Sequence, residues 1–543
     1  MPLASVASST SVRSAAGIDA AGELARALEE FFAEYPRATI AESGHALFDM
    51  AAAHFSISTE QGRCLLHLWS EERNLVRTVC GVKARRDSLR VEVRRFGQAK
   101  PQVLELEANR DRRAPSTRES GRAKYLRLLD RALGRVFPEW TSDGLRTAAD
   151  LEHSFGPEYA RGTLLKGAAA WAVIGVNADE PQSTIDGVLT LGVLWLAYCR
   201  EHGDGRRLYE GLKVVVPAGA SQTARARMAW LNERVAKWEL YELDERTEQL
   251  ERGDECDGGN LQATLVHAFH PEATLGRSRA AVDRVLALLG PGLRAATEVR
   301  ARSAAEIGFL LHGLEFARVR SGFARGSFAR EDAISFGAGA NETPLTEENE
   351  AMFRELTQRL FEHRHAGGTV RDPLYRLQPE RWLECELRRD LAEIEPAIRV
   401  EPVYSQVPAF AAGDRAMLDL LGVTHTGRLA VLELKADDDL HLPFQALDYW
   451  ARVRQLHRER AFEKHGYFPG IELSDQTPLL YLVAPSLRIH PSTDTILRHF
   501  SAEVPWEVIG LNEDWRKRRR VILRKRGQGP RARDQGVTNP HSR

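Results

Sequence analysis

The residues of this chain best suited to chemistry by type and spacing are Asp419, Glu433 and Lys435. Stretches 417–423 and 429–435 alternate as strands do, and Thr424-His-Thr-Gly-Arg428 between them reads as a hairpin loop. With Val423 opposite Leu429, Leu421 faces Val431 and Asp419 faces Glu433. Side chains two apart on a strand share a face, so Lys435 stands beside Glu433, away from Leu432 and Leu434. Two carboxylates directly opposite each other repel. A divalent cation bridging them is the simplest offset. The helical stretch that follows carries Gln445-Ala-Leu-Asp-Tyr449, with Gln445 and Tyr449 one turn apart. Ahead of the hairpin, Pro379-Glu-Arg-Trp-Leu-Glu-Cys-Glu-Leu sets Glu380 and Glu384 at the same interval.

Neighbouring polar residues read more plainly. Asp437, Asp438 and Asp439 lie between strand and helix, where capping and the helix dipole account for them. His441 and His457 have no nucleophile beside them in sequence and read as solvated. Gly337-Ala-Gly-Ala-Asn lacks the Gly-Lys-Ser/Thr of a phosphate loop and reads as a turn.

Asp419, then Glu433-Leu434-Lys435 behind the lead Leu429-Ala-Val-Leu432, then Gln445-x-x-x-Tyr449: this succession resembles the PD-(D/E)XK nuclease superfamily in its RecB-like branch. The resemblance covers about residues 372–510, and Leu418 stands where many members have a proline. It implies a restriction-endonuclease-like core with a mixed sheet, and Mg²⁺ or Mn²⁺ held by Asp419, Glu433 and the Leu434 carbonyl. Hard oxygen ligands of that kind suit such ions. It implies that a metal-activated water hydrolyses a phosphodiester, and that Lys435 orients the water and adds positive charge to the transition state. Gln445 and Tyr449 would hold the lysine side or a substrate phosphate, and Glu380 and Glu384 stand where the family often has an accessory acid.

The elements that must position these residues occur twice. Ala172-Val-Ile-Gly-Val-Asn-Ala-Asp179 matches Ala430-Val-Leu-Glu-Leu-Lys-Ala-Asp437 at an offset of 258. A long helix follows each, over 185–202 and 444–462, and then a buried strand ending in Pro217 or Pro485. Trp238 and Trp506 come 21 residues after those prolines. At the offset of 258, Asp419 falls on Arg161, Glu433 on Gly175, Lys435 on Asn177, Gln445 on Gly187 and Tyr449 on Leu191. The first copy is therefore expected to be degenerate, serving as a packing partner or a non-cutting binder.

The expected fold class is α/β, α+β overall: the nuclease-like core present twice, behind an N-terminal antiparallel β domain. The expected order is a disordered stretch over 1–20, a basic β-rich domain over 21–115 and the degenerate α/β domain over 118–250. A helical and β-rich connection over 260–370, the nuclease domain over 372–526 and a loose tail over 527–543 follow. Within these, 21–34 reads as a helix, 55–107 as an antiparallel sheet and 110–121 as a polar linker. Thr346 is the expected N-cap of a helix running to about 363.

Composition bounds the function. Of 543 residues, 43% are hydrophobic and 28% charged, as in soluble globular proteins. No apolar run is long enough to span a membrane, and the N-terminus lacks a secretory pattern. Five cysteines without a C-x-x-C argue for a reducing, cytoplasmic setting and against a thiolate metal site. Charge is segregated: 73–135 holds 18 bases against 7 acids, 239–257 holds 9 acids against 2 bases, and 516–534 holds 10 bases against 1 acid. Such blocks suggest a surface for a polyanion. The expected function is a metal-dependent endonuclease, with DNA as substrate because most relatives with this site cut DNA. The alternative is a non-catalytic nucleic-acid-binding or assembly protein that retains the fold. Oligomeric state stays open.

Overall fold

The computed structural model describes residues 11–13, 18–36, 38–42, 45–50, 53–60, 63–69, 74–85, 88–94, 102–107, 115–148, 150, 154–203, 205–253, 264–323, 330–338, 343–411 and 414–527. The protein is mixed α/β with several sheets, grouped in two compact units. One unit combines 1–114 with 269–382, and the other combines 115–268 with 383–543. The chain thus regroups the consecutive domains that its sequence suggests.

In the first unit, helix Ile18–Glu34 places Ala21, Leu24, Ala25, Leu28, Phe31 and Phe32 at helical intervals and buries that face against Leu66, Leu68, Val79, Val91, Leu104 and Leu106 of an antiparallel sheet. Strand Ser11–Arg13 pairs with Asn74–Arg85, Val12 opposite Val82, so part of the stretch expected to be disordered is structured. Residues 1–10, 14–17 and 528–543 lie outside the described residues. A second sheet runs from Glu298 to Pro344, with helices Arg279–Ala287 and Glu350–His363 supplying its core. Thr346 caps as expected, in a capping box with Asn349, through one 3₁₀ turn (Glu347–Asn349) that leads into Glu350–His363.

The second unit contains Asp419, Glu433 and Lys435. Its first sheet contains β1 (Thr141–Arg146), β2 (Tyr159–Lys166), β3 (Ala169–Val176), β4 (Leu208–Pro217), β5 (Lys237–Asp244) and β6 (Gln249–Arg252), adjacent in chain order. Its second contains β7 (Thr264–Leu265), β8 (Tyr404–Ala411), β9 (Asp414–Val423), β10 (Leu429–Leu434), β11 (Leu479–Pro485), β12 (Trp506–Leu511) and β13 (Val521–Arg526), also in chain order. From β1 to β6 the pairings run antiparallel, antiparallel, parallel, parallel, antiparallel. From β8 to β13 they run the same way. The helices are α1 (Pro115–Val136), α2 (Gln182–His202), α3 (Gln222–Met228), α4 (Leu442–Arg458) and α5 (Thr493–Leu497). α2 and α4 are the crossovers that parallel neighbours require.

Two expectations need correction. The supposed linker over 110–121 contains the start of α1, with Pro115 at its first position. Its Tyr125, Leu128, Leu129, Ala132 and Leu133 pack on Trp171, Val173, Val215, Tyr241 and Leu243. The offset of 258 along the matched strands is also off by one. Ala172, Ile174 and Val176 face the core that contains α2, as do Leu429 and Val431, whereas Trp171 and Val173 face α1. Ala172 pairs with Leu212, Val431 with Leu480, and Leu212 and Leu480 stand equally far from Pro217 and Pro485. The spatial counterparts of Glu433 and Lys435 are therefore Ile174 and Val176, not Gly175 and Asn177. A one-residue slip moves every side chain of a strand to the other face. Arg161 pairs with Ile174 and keeps the place of Asp419.

The two sheets share one core, to which α2, α4 and the central strands of both contribute. Its contacts are reciprocal: α2 packs on α5 and α4 on α3. Leu231 and Phe500 form an antiparallel bridge, with Asn232 N donating to His499 O at 2.8 Å and Ser501 N to Trp230 O at 2.7 Å. Arg227 of α3, 6% exposed, reaches the Asp448 carboxylate of α4 through Nη2 at 2.8 Å and Nε at 3.1 Å.

Candidate metal and catalytic site

β9 and β10 pair in the expected register, with Val423 opposite Leu429 and Leu421 opposite Val431. Past Leu420–Leu432 the Asp419 side chain takes over, its Oδ2 accepting from Leu434 N at 2.9 Å. Glu433 lies between apolar strand residues and is 4% exposed, and its Oε2 is buried with no hydrogen-bond partner among the described residues. Burial, and next the negative charge of Asp419, push its carboxyl well above the ordinary 4.5, against the pull of Lys435. The two acids compete for one proton.

The Lys435 ammonium sits 3.1 Å from Asp439 Oδ2. Burial pulls its pKa down, but Glu433 and Asp439 outweigh that and raise it, so the lysine stays charged. Asp439 also accepts from His441 N at 2.7 Å, which is the expected capping role. Its ion pair with Lys435 is a function that sequence reading missed; the i, i+4 spacing was the available signal. Asp437 and Asp438 are exposed.

α4 carries the remaining residues. Burial and the charges of Glu433 and Asp419 push the Tyr449 hydroxyl up, which sets it within electrostatic reach of both acids. Gln445, one turn earlier, is half-buried. His441 is not a solvated histidine: its Nδ1 is 3.0 Å from Thr190 Oγ1 on α2, and burial, reinforced by Arg227 and Lys435, lowers its pKa despite Asp439. His457 is buried too, its Nε2 2.9 Å from Ser474 O. Of the two acids on helix Pro379–Arg389, Glu380 falls in the first unit and Glu384 in the second, where it is buried.

No protein-family model and no curated protein matches this chain. Its chemistry rests on the site itself. Among the described residues no group of three or more His, Cys, Asp or Glu is placed to hold a metal, so the oxygens on offer come from one acid pair and the adjacent backbone. That pair fits a divalent cation on one physical ground: a buried carboxylate oxygen has no partner while a second carboxylate raises its proton affinity. In the first sheet the matching place holds Arg161, 1% exposed, with Nη2 donating to Ala148 O at 2.7 Å and the guanidinium 4.7 Å from the Phe155 ring.

The 73–135 block is divided between the two units. In the second, Arg122 pairs with Glu158 and Glu180, and Arg131 and Arg135 pair with Glu248 of the acidic block. In the first, Arg77 is buried, Arg90 and Arg94 are exposed, and the side chains of Arg85, Arg86 and Arg95 lie outside the described residues. Near the C-terminus Arg519 joins Glu386 and Glu393, Arg524 joins Glu395 and Glu507, and Arg526 joins Glu507. Among the described residues no helix is long and apolar enough to cross a membrane.

Proposed function

We propose that the protein is a metal-dependent endonuclease of PD-(D/E)XK type, hydrolysing phosphodiester bonds in DNA, and that its second unit holds two copies of one nuclease-like core. The reading is carried by the pairing of buried Glu433 with Asp419, and by Lys435 just past the same strand, held charged between Glu433 and Asp439. Asp419, Glu433 and the Leu434 carbonyl would hold Mg²⁺ or Mn²⁺. Such an ion supplies a water of lowered pKa and neutralises charge on the phosphoryl oxygens. Lys435 orients the attacking water and stabilises the charge that grows in the transition state, and Asp439 holds the lysine in place. Gln445 and Tyr449 line the approach to it. The first copy serves packing: Arg161 fills the acid position, and Arg227 supports the helix that bears Gln445 and Tyr449.

The test is cleavage of single- and double-stranded DNA and RNA with Mg²⁺ or Mn²⁺ and with a chelator. DNA cutting that needs metal and disappears in Glu433→Gln and Lys435→Ala is expected. Intact substrates with the folded wild type, or cutting that survives both substitutions, would overturn the reading.

A further inference from the structure

α4 presents a third polar side chain on the face that carries Gln445 and Tyr449. At about 100° per residue, positions 445, 449 and 452 fall within roughly 60° of one another. The third is Arg452. Its Nε and Nη1 are buried and have no hydrogen-bond partner among the described residues. The neighbouring Arg454 differs, since it stacks 4.6 Å from the Trp230 ring and reaches Glu503 at 3.3 Å. The charge of Arg452 acts on the Tyr449 hydroxyl together with those of Glu433 and Asp419, so its guanidinium stands near the residue that senses the acid pair.

A guanidinium stays protonated, and N–H groups withdrawn from water without an acceptor need one from elsewhere.

We propose that Arg452 binds a phosphate of the substrate strand beside the acid pair, an assignment that rests on the nuclease reading for the identity of its ligand. The planar fork of the side chain suits two phosphate oxygens. The test uses the full-length protein, Arg452→Leu and Arg452→Lys, with a short fluorescein-labelled single-stranded DNA. Its Kd is read by anisotropy in chelator at one fixed salt concentration, KM and kcat in Mg²⁺, and Tm alongside. Arg452→Leu is expected to melt with the wild type and to lose about 10- to 100-fold in Kd and KM, the loss of a charge-assisted pair. Unchanged Kd and KM in a folded Leu variant overturn the assignment. If that variant does not fold, Arg452→Lys decides: a Kd equal to wild type overturns it, because an ammonium cannot reproduce the two-pronged contact. A wild type that cuts, with Arg452→Leu cutting equally well, refutes Arg452 alone. A wild type that binds through Arg452 but never cuts refutes the nuclease reading alone, and one that neither binds nor cuts refutes both.

Discussion

Replacing Arg227 with Met tests whether the two sheets of the second unit are held together as described. Arg227 is 6% exposed, and the charge of Asp448 more than offsets the burial that would lower its pKa. Methionine preserves the aliphatic stem and removes the contacts to Asp448 and to the Asp186 carbonyl. Breaking a buried ion pair from one side costs about 3–5 kcal/mol. The Asp448 side chain keeps 24% of its exposure, so water recovers part of that, and we expect about 2–4 kcal/mol. At roughly 2–3 °C per kcal/mol for a unit of this size, Tm should fall by about 4–12 °C. Trp230 and Trp450 meet edge to face at 4.9 Å in the same interface, so tryptophan fluorescence reports the transition. A cycle with Asp448→Asn should give a coupling of about 1–3 kcal/mol. Melting of Arg227→Met with the wild type, or strict additivity in the cycle, would refute the idea that this pair joins the two sheets.

The remaining expectations concern the site and its surroundings. The folded pKa of Glu433 is raised, so the stability it contributes is complete below its ordinary 4.5 and is lost as pH rises toward the folded value. Wild-type Tm should decline over that range, and Glu433→Gln should be flatter and more stable than wild type at the alkaline end, as melting curves at several pH values will show. Adding Mg²⁺ should raise the alkaline Tm of the wild type and leave that of Glu433→Gln unmoved. Lys435→Ala should keep oligonucleotide affinity while cleavage falls by two orders of magnitude or more, since one electrostatic contact to a transition state is worth about 10²–10³. Arg131→Glu should lower Tm without changing the salt dependence of DNA binding, because Arg131 pairs with Glu248. Reversing exposed Arg90 and Arg94 should flatten the salt slope if that sheet tracks a phosphate backbone, and equal slopes would exclude it as the DNA surface.

What was legible in the sequence was local and periodic. A period of two placed Asp419, Glu433 and Lys435 on one hairpin, and the loop between Val423 and Leu429 set the register that the strands adopt. The same short period hid the slip: identical Ala-Val and Ala-Asp ends aligned Glu433 with Gly175, and only the face that each strand buries shows that Ile174 is its counterpart. α1 escaped notice because its first turn is polar, and its apolar Tyr125, Leu128, Leu129 and Ala132 gain meaning only from the sheet beneath them. The burial of His441 and His457 depends on Thr190 and Ser474, residues distant in sequence that no local pattern joins to them. Part of the basic block is neutralised in a way that no local pattern shows, since Arg131 and Glu248 are far apart along the chain and meet only after folding.

The interleaving of the two units has a consequence for biosynthesis. The first sheet of the second unit is complete on the ribosome by residue 252, yet apart from the short β7 the second sheet follows only from residue 404. At about 5–20 residues per second, the intervening stretch takes on the order of ten seconds to emerge. Throughout that interval α2 lacks α5 and the His441 side chain that pack on it in the finished unit. The nascent chain is then a half-built pair with its sticky side outward, a natural client for a holding chaperone. Slow codons or stalling within 269–382 would lengthen that vulnerable interval, so the yield of soluble protein should respond to translation speed there more than to the same change after residue 511.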